Sequence, residues 1–431
     1  MSEKIAVVGL WHLGLVTAAV MAEAGHDVVA FDEPAVVEPI ARDAFPVAEP
    51  GLPELWKAQR EAGRLRESDR IEDVAACAFI WITYDTPLDG EGRPVTAFVR
   101  DRVRQVIDAL HGPATIAISS QMPVGFAASL EAYAAERGHD GVGFVSIPEN
   151  LRLGSAIAYL RAPDRFVVGT RRESDRTRVA AVLEPLGAPL AWMGVESAEM
   201  TKHALNAFLA TSVVFANEIA AIAERVGADA REIEEGLKSD LRIGRRAYLR
   251  AGEAFAGGTL ARDIGFLVDL GNEHAAPAVQ IAATGTSNDR HKLWLDRSIE
   301  AALRDIAAPR VAILGLTYKP GTDTLRASSA VALAHRLAAT GAQVVAYDPT
   351  VHADAPEIAG AATRADSVSA ALLGADAAVV MTPWPEFREI PNATWSAMRH
   401  RRLIDGQRFL EATAEPYVDE YVVFGRAGVR A

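Results

Sequence analysis

Short apolar runs bounded by polar or glycine positions alternate with helical patterns at both ends of the chain. Such runs are typical of strands that are buried on both faces of a parallel sheet. Residues 4–10 and 25–32 are echoed by residues 310–316 and 341–348, and each pair predicts a strand, a helix and a second strand that ends in Asp. Further strands are predicted at 79–83, 115–119, 143–147, 166–169, 377–381 and 402–404. The pattern predicts an α/β protein with two Rossmann-like, doubly wound parallel-sheet domains.

One long helix is predicted between these two domains. Residues 195–226 contain neither glycine nor proline and are rich in Ala, Leu, Phe, Val and Ile. A single helix there would be about 48 Å long at about 1.5 Å per residue. We expect it to join the domains and to bury one face against a second copy of the chain, which would make the protein a homodimer. Two core helices with an unmarked break are the alternative.

Composition and charge narrow the classes of partner. Hydrophobic residues make up 50% of the chain and charged residues 23%, which excludes a disordered protein. The formal net charge of −13 disfavours binding to nucleic acid. A single cysteine, Cys77, excludes an intrachain disulfide and a thiolate metal cluster, so we expect a cytoplasmic protein without a metal site. His12 and several glycines interrupt the apolar N-terminal run, and we expect neither a signal peptide nor a membrane span.

The turn after the first strand has the pattern of a dinucleotide site. There the helix N-terminus would face the pyrophosphate, and the acidic residue that ends the next strand would bind the ribose hydroxyls. The predicted cofactor residues of this region are Gly9, Trp11, His12, Leu13, Gly14 and Asp32. Asp32 favours NAD over NADP, because a 2′-phosphate would meet its carboxylate. Trp11 replaces the glycine that lets the backbone approach the pyrophosphate, so a nucleotide fold that has lost its dinucleotide is the alternative.

Several motifs in a fixed order carry a family resemblance. They are residues 85–89 (DTPLD), 123–125 (PVG), 148–152 (PENLR), 163–165 (PDR), 199–202 (EMTK) with Asn206, 240–244 (DLRIG), 319–326 (KPGTDTLR), 347–349 (YDP), 384–387 (WPEF) and 405–406 (DG). Along nearly its whole length the chain resembles the UDP-glucose/GDP-mannose dehydrogenases. The resemblance implies an NAD-dependent enzyme that oxidises the C6 alcohol of a nucleotide sugar, most simply a UDP-linked sugar. It also implies an NAD-binding domain at 1–194, a central dimerisation region with the catalytic loop at 195–300, and a nucleotide-sugar-binding domain at 301–431.

The predicted catalytic residues include a lysine within the long apolar helix. Lys202 lies one helical turn before Asn206, and both share a helix face. A buried ammonium costs free energy unless it is paired, which favours a functional role. The resemblance implies that Lys202, Asn206 and Asp263 stabilise oxyanion character at the sugar, while Glu149 moves a proton through water. A surface pair between Lys202 and Glu199 is the alternative.

The resemblance also implies further cofactor and substrate residues. Thr86 and Gln121 are expected at the cofactor. Together with Glu149, Lys202 and Asn206, the residues expected at the nucleotide sugar are Leu151, Arg152, Tyr248, Gly257, Lys319 and Arg326. Lys319 and Arg326 are suited to a diphosphate, with Arg326 reaching across the dimer. Exposed solubilising charge is the alternative for these two cations.

The chain departs from the family at the reacting centre. The family has its catalytic thiol in a Phe-Gly-Gly-Ser-Cys-Phe-Pro-Lys-Asp loop, whereas residues 255–263 read Phe-Ala-Gly-Gly-Thr-Leu-Ala-Arg-Asp. Thr259 thus replaces the cysteine that forms a thiohemiacetal and then a thioester, and a threonine hydroxyl is a far weaker nucleophile. Gln121 replaces a water-orienting threonine, and Arg262 replaces a lysine. Cys77 is expected to pack as a small hydrophobic residue rather than to replace the thiol.

These departures predict altered chemistry. The enzyme could stop after one hydride transfer, oxidise an aldehyde hydrate with water as the nucleophile, or epimerise its substrate through a transient ketone. An alternative of another class is a catalytically silent nucleotide-sugar binder that regulates an active relative. Ordinary UDP-glucose 6-dehydrogenase activity is a third hypothesis, and it would require Thr259 to act in place of the thiol.

Overall fold

The chain forms two compact units, which are taken one at a time below. The computed structural model describes residues 3–89, 94–149, 151–255, 259–317, 319–325, 328–351 and 355–427, together with the backbone of 429–430. The first unit comprises residues 1–207 and 257–278, and the second comprises residues 208–256 and 279–431. Residues of the predicted central region, 195–300, thus contribute to both units. The domain boundaries that we derived from the sequence stay a prediction.

The first unit is built on a doubly wound sheet. Its strands are β1 (Lys4–Val8), β2 (Asp27–Phe31), β3 (Leu65–Ser68), β4 (Phe79–Ile82), β5 (Thr115–Ile118), β6 (Gly143–Ser146), β7 (Phe166–Gly169) and β8 (Leu190–Met193). The strand order is β3-β2-β1-β4-β5-β6-β7-β8, with β6 and β7 antiparallel and the other neighbours parallel. The inner strands are buried on both faces, which explains their continuous apolar sequences. The topological switch point lies between β1 and β4, where such folds bind ligands.

Helices cover both faces of the sheets. In chain order they are α1 (His12–Glu23), α2 (Pro34–Ala41), α3 (Leu52–Glu61), α4 (Ile71–Ala75), α5 (Thr96–Ala109), α6 (Phe126–Glu136), α7 (Ala156–Arg161), α8 (Glu173–Leu183), α9 (Val195–Val226), α10 (Ala230–Ser239), α11 (Thr259–Glu273), α12 (Val279–Leu303), α13 (Ser329–Ala339), α14 (Val368–Leu372), α15 (Asn392–Trp395) and α16 (Glu411–Ala414). Short 3-10 helices lie at Glu184–Leu186, Pro356–Ile358, Pro385–Glu389 and Glu415–Tyr417.

Two glycines let helix α1 pack closely on the sheet. Gly9 has a φ of +103°, and a Cβ atom there would lie 2.7 Å from the backbone nitrogen of Tyr84. A Cβ atom at Gly14, in the first turn of α1, would lie 1.8 Å from the carbonyl oxygen of Gly9. No larger residue fits either position without moving the backbone. The predicted strand, glycine turn and helix at the N-terminus are therefore confirmed.

The second unit repeats the same winding. Its strands are β9 (Arg310–Leu314), β10 (Gln343–Tyr347), β11 (Thr363–Arg364), β12 (Ala377–Val380), β13 (Arg402–Ile404), β14 (Glu420–Val422) and β15 (Val429–Arg430). Their order is β11-β10-β9-β12-β13-β14-β15, and β15 runs antiparallel to β14. Asp348 accepts a hydrogen bond from the amide of Leu316 at 2.7 Å, just as Asp32 does from Leu10 at 2.7 Å in the first unit. The predicted repeat of two Rossmann-like domains is confirmed.

The long central helix is also confirmed. Helix α9 runs without a break over Val195–Val226, so the alternative of two shorter helices is wrong. By length and composition alone this helix could cross a membrane, and 44% of its most apolar window is buried inside the structure. A core helix of a soluble protein meets the same criterion. Residues 195–207 of α9 belong to the first unit and residues 208–226 to the second.

Candidate active site

The site lies in the first unit, at the carboxyl ends of strands β4, β5 and β6. The loops after these strands carry Thr86, Gln121 and Glu149. The first turns of α9 supply Lys202 and Asn206. The structure therefore brings several predicted site residues to the edge of the sheet where doubly wound folds bind their ligands.

Asp263 is the centre of a buried hydrogen-bond network. This carboxylate lies on α11 and is fully buried. It accepts hydrogen bonds from Gln121 Nε2 at 2.5 Å, from His203 Nδ1 at 2.6 Å and from the side-chain amide of Asn206. Burial alone would raise the pKa of the Asp263 carboxyl, but the His203 contact and the two amides together lower it below its usual value. Asp263 is therefore an ionised group that holds its neighbours in place.

Lys202 lies beside this network. Its ammonium group donates a hydrogen bond to the backbone carbonyl oxygen of Glu149. Burial lowers the pKa of Lys202, while the negative charges of Glu149 and Asp263 act in the opposite direction. A buried ammonium group in this position can stabilise an oxyanion that forms next to it.

Glu199 lies in the interior and binds the start of helix α6, instead of forming a surface pair with Lys202. Its carboxylate accepts hydrogen bonds from the backbone amides of Gly125 at 2.7 Å and Ala127 at 3.0 Å, at the start of α6. Burial raises the pKa of Glu199, and these two amides partly offset the effect. Glu199 is thus an interior residue that caps a helix, not one partner of the surface pair with Lys202.

Gln121 is held at both ends of its side chain. Its amide nitrogen contacts Asp263, and its amide oxygen accepts a hydrogen bond from the Arg262 guanidinium. Arg262 also donates to the carbonyl oxygen of Thr86 at 3.1 Å, and the Thr86 hydroxyl donates to the carbonyl oxygen of Gln121 at 2.7 Å. Burial lowers the pKa of Arg262. Arg262 therefore ties the loops after β4 and β5 to helix α11.

A cleft opens next to these groups. It is narrow, and its lining includes Ser120, Gln121, Lys202 and His203. The hydroxyl of Ser120 is buried and has no hydrogen-bond partner among the described residues. A donor that is buried without a partner is costly, so this hydroxyl is available to a ligand in the cleft.

Thr259 is the first residue of α11, one helical turn before Asp263, and its side chain is exposed. Within the described part of the chain, its hydroxyl makes no hydrogen bond that could activate it as a nucleophile. Cys77 is 3% exposed, and burial raises the pKa of its thiol to about 11. The expectation that Cys77 packs as a buried hydrophobic residue is confirmed.

The turn after β1 fits a dinucleotide. Trp11 occupies the N-cap position of α1 without a side-chain hydrogen bond to the helix, and its side chain is 42% exposed. The first amides of α1 therefore remain available to a pyrophosphate. Asp32 follows strand β2 at the same edge of the sheet. Its carboxylate accepts hydrogen bonds from the amides of Leu10 and Glu33, and its remaining lone pairs can accept hydrogen bonds from ribose hydroxyls.

The remaining predicted residues are distributed over both units. Leu151 follows β6 and donates its amide to the Glu149 carboxylate, and the exposed Arg152 comes next. His12 forms a 2.9 Å hydrogen bond with Glu49. The second unit contains Tyr248, with an exposed side chain, and Lys319. Gly257 and Arg326 lie outside the described residues. Among the residues that are described, no cluster of His, Cys, Asp and Glu could hold a metal ion.

Sequence reasoning missed His203 as a member of the site. Its two partners, Met122 and Asp263, are 81 and 60 residues away along the chain. A single histidine next to Lys202 carries no periodic or motif signal that could have revealed them. Arg262 had been noted only as a departure from the family loop.

Comparison with known proteins agrees with this architecture. Residues 3–187 match the NAD binding domain of the UDP-glucose/GDP-mannose dehydrogenase family, residues 196–290 its central domain, and residues 312–412 its UDP binding domain. A UDP-glucose 6-dehydrogenase of Rhizobium meliloti (strain 1021) is 34% identical over 413 residues, which cover 93% of this chain and 94% of that protein. A UDP-glucose 6-dehydrogenase of Bacillus subtilis (strain 168) is 31% identical over 99% of this chain and 94% of that protein.

Solved structures agree as well. A UDP-glucose dehydrogenase from the archaeon Pyrobaculum islandicum superposes with a TM-score of 0.85 at 28% identity, covering 98% of this chain and 97% of the other. A UDP-D-ManNAc dehydrogenase from Pyrococcus horikoshii superposes with a TM-score of 0.85 at 26% identity, covering 99% and 100% of the two chains. With its NAD-binding and UDP-binding domains, this chain belongs to the UDP-glucose/GDP-mannose dehydrogenase family of NAD-dependent nucleotide-sugar dehydrogenases.

Proposed function

We propose that the protein oxidises a UDP-linked sugar with NAD, and that the replacement of the family thiol by Thr259 ends the reaction after the first hydride transfer. The observation that carries this proposal is the preserved group of Lys202, Asn206 and Asp263 next to Glu149. Lys202 is hydrogen-bonded to the backbone of Glu149, Asn206 is hydrogen-bonded to Asp263, and the charge of Asp263 acts on Lys202. At the position of the thiol, in contrast, the chain has an exposed hydroxyl without an activating base among the described residues.

Bound NAD supplies the acceptor for the hydride that leaves the alcohol carbon. The proton of the same hydroxyl group must leave as well, and Glu149 is the acceptor, directly or through water. The Lys202 ammonium and the Asn206 amide stabilise the oxyanion as it forms. Asp263 is fully buried, so it acts by orienting Asn206 rather than by touching the sugar. The carbonyl product then leaves, because no thiolate captures it for a second oxidation.

The test is the number of NADH molecules formed per sugar consumed, with UDP-glucose as the first substrate and the product identified by mass. We expect one NADH and an aldehyde or ketone from the wild-type protein. Thr259→Cys restores the family nucleophile, so we expect two NADH and a carboxylate from that variant. Thr259→Ser, which supplies another weak nucleophile, is the matched control and should behave as the wild type.

The opposite result would identify an ordinary UDP-glucose 6-dehydrogenase. In that case the wild-type protein forms two NADH and the acid, and Thr259→Ala loses acid production. Addition of water to the aldehyde, followed by transfer of a hydride from the hydrate to a second NAD, would also give the acid, but Thr259→Ala would leave that reaction unchanged. The two routes to the acid are therefore distinguished by the alanine variant.

A catalytically silent nucleotide-sugar binder is the second candidate, and Trp11 is the observation that favours it. Its indole lies at the N-cap of α1 and is 42% exposed, where it could occupy the place of the pyrophosphate. Calorimetric titration with NAD, alone and with UDP-glucose present, separates the two functions. Micromolar NAD binding supports the dehydrogenase, whereas UDP-glucose binding without any NAD binding supports the silent binder.

We also propose that the protein is a homodimer formed through α9. In the second unit, Phe208, Phe215 and Ile222 follow each other at seven-residue spacing and are 69%, 44% and 57% exposed. Side chains seven residues apart lie on nearly the same face of a helix. Such a stripe of large apolar side chains is typical of a helix that packs against a partner, and a second copy offers a self-complementary surface.

A further inference from the structure

His203 is a buried histidine whose ring nitrogens are both engaged. Its Nε2 atom lies 2.9 Å from the carbonyl oxygen of Met122, and its Nδ1 atom lies 2.6 Å from Asp263 Oδ1. The ring also makes an edge contact with Phe266, with a centroid distance of 5.3 Å. Only 2% of the residue is exposed.

The two contacts of the ring come from different elements. The carbonyl oxygen of Met122 only accepts hydrogen bonds, so Nε2 donates to it. On the other side of the ring, Nδ1 forms a short hydrogen bond with the buried Asp263 carboxyl. The ring is therefore fixed from both sides, and it holds Asp263 in turn.

The location of the ring gives this pair a function. His203 lies on α9 between Lys202 and Asn206, Met122 lies on the loop after β5, and Asp263 lies on α11. One side chain thus connects the three elements that carry the reacting groups. Asp263 in turn binds the side-chain amides of Asn206 and Gln121. Movement of the ring would release Asp263 and, with it, the orientation of both amides.

We propose that His203 is a positioning residue for hydride transfer, which acts by holding Asp263 against Asn206 and Gln121. The proposal rests on the proposed oxidation of a nucleotide sugar. Glu199 and Lys202 line the same cleft as His203, and the charges of Glu149, Asp263 and Arg262 act on Lys202. Because Lys202 titrates, a pH profile of the wild-type protein does not report on His203, and matched variants are needed.

Two amide substitutions separate the two hydrogen bonds of the ring. In His203→Asn the amide nitrogen can take the place of Nδ1 and keep the contact with Asp263. In His203→Gln the amide nitrogen can take the place of Nε2 and keep only the contact with Met122. We expect kcat to fall about 100-fold in His203→Gln and less than about 10-fold in His203→Asn, because small displacements of reacting groups have effects of that size.

The split between kcat and KM distinguishes positioning from a merely structural role. His203 is buried, and among the described residues its ring hydrogen-bonds to Met122 and Asp263 alone, so KM for the nucleotide sugar should stay within about twofold in both variants. Equal loss of kcat in both variants, together with equally lowered thermal stability, would overturn the proposal.

Nuclear magnetic resonance gives a readout without substrate. The chain has ten histidines, and the signals of His203 are those that are absent from a ¹⁵N-histidine-labelled His203→Asn sample. We expect a ring proton that is shifted far downfield by the hydrogen bond to Asp263. A His203 ring without such a signal would refute the contact. If the wild-type protein turns over no sugar at all, the proposed function fails, while this spectrum still tests the pair with Asp263.

Discussion

Lys202 combines a functional position with an energetic cost. Burial lowers the pKa of its ammonium group, so the folded protein disfavours the charge that the proposed reaction requires. We predict that Lys202→Met raises the free energy of unfolding near pH 7, because an apolar side chain of similar length removes a buried charge that the fold disfavours. The same change should lower kcat by about 100-fold to 1000-fold, since an oxyanion donor is lost. Thermal unfolding and NADH formation measure the two effects.

The stability gained in Lys202→Met should depend on pH, and the pKa of Lys202 determines the direction of that dependence. The pKa of Lys202 is lower in the folded protein than its ordinary value of 10.5, so the charged lysine costs free energy at every pH below the folded pKa. As pH rises through the folded pKa towards 10.5, that cost disappears, and the advantage of Lys202→Met must shrink. Lys57 on α3 is exposed, and Lys57→Met should change neither stability nor kcat. An advantage of Lys202→Met that grows with pH would contradict this account.

The helix–strand units were predictable from sequence because each is encoded locally. Continuous apolar runs predicted β4, β5, β6 and β12 to within one residue at their ends. Strands β8 and β14 were missed, because β8 is an apolar run of only four residues that is partly buried, and β14 begins with Glu420 and has one buried residue among three. The shared helix face of Lys202 and Asn206 followed from helical spacing. The His203 contacts could not be predicted, because they join residues that only the folded chain brings together.

Alanine substitutions at Gly14 of α1 and Gly265 of α11 test how closely each helix packs against its neighbours. A Cβ atom at Gly14 of α1 would lie 1.8 Å from the Gly9 carbonyl oxygen, whereas a Cβ atom at Gly265 of α11 would have no neighbour within 4 Å. We therefore predict opposite signs for the same substitution. Gly14→Ala should destabilise the first unit by about 3 kcal/mol and abolish NAD binding. Gly265→Ala should stabilise it by about 0.5–1 kcal/mol, because alanine restricts the unfolded chain.

Thermal unfolding of both variants, with and without NAD, measures this difference. Gly265→Ala serves as the matched control, since it adds the same methyl group to a helix of the same unit. An unchanged melting temperature and normal NAD affinity in Gly14→Ala would mean that α1 does not approach the sheet as closely as the structure describes.

At the scale of the whole molecule, the exposed stripe on α9 is the basis of the proposed dimer. Phe208, Phe215 and Ile222 leave a large apolar surface in water, which a chain with a net charge of −13 offsets only in part. We predict that the wild-type protein sediments with the mass of two chains at micromolar concentration. Phe215→Glu places a charge in the middle of the stripe and should give a single chain, because burying an unpaired carboxylate is costly.

Leu373→Glu is the matched control for this change. Leu373 is 63% exposed and lies at the end of α14, in the second unit but away from α9 in sequence. If general surface hydrophobicity drives association, both glutamate variants dissociate equally. If the α9 stripe is the contact, only Phe215→Glu dissociates. A wild-type protein that sediments as one chain over the whole concentration range would refute the dimer, and the stripe would then require a different partner.

Helix α9 also carries Lys202 and Asn206. If packing of residues 208–226 supports the orientation of these two side chains, loss of the dimer should lower kcat. Comparing kcat of Phe215→Glu above and below its dissociation range therefore tests whether one helix couples assembly to catalysis.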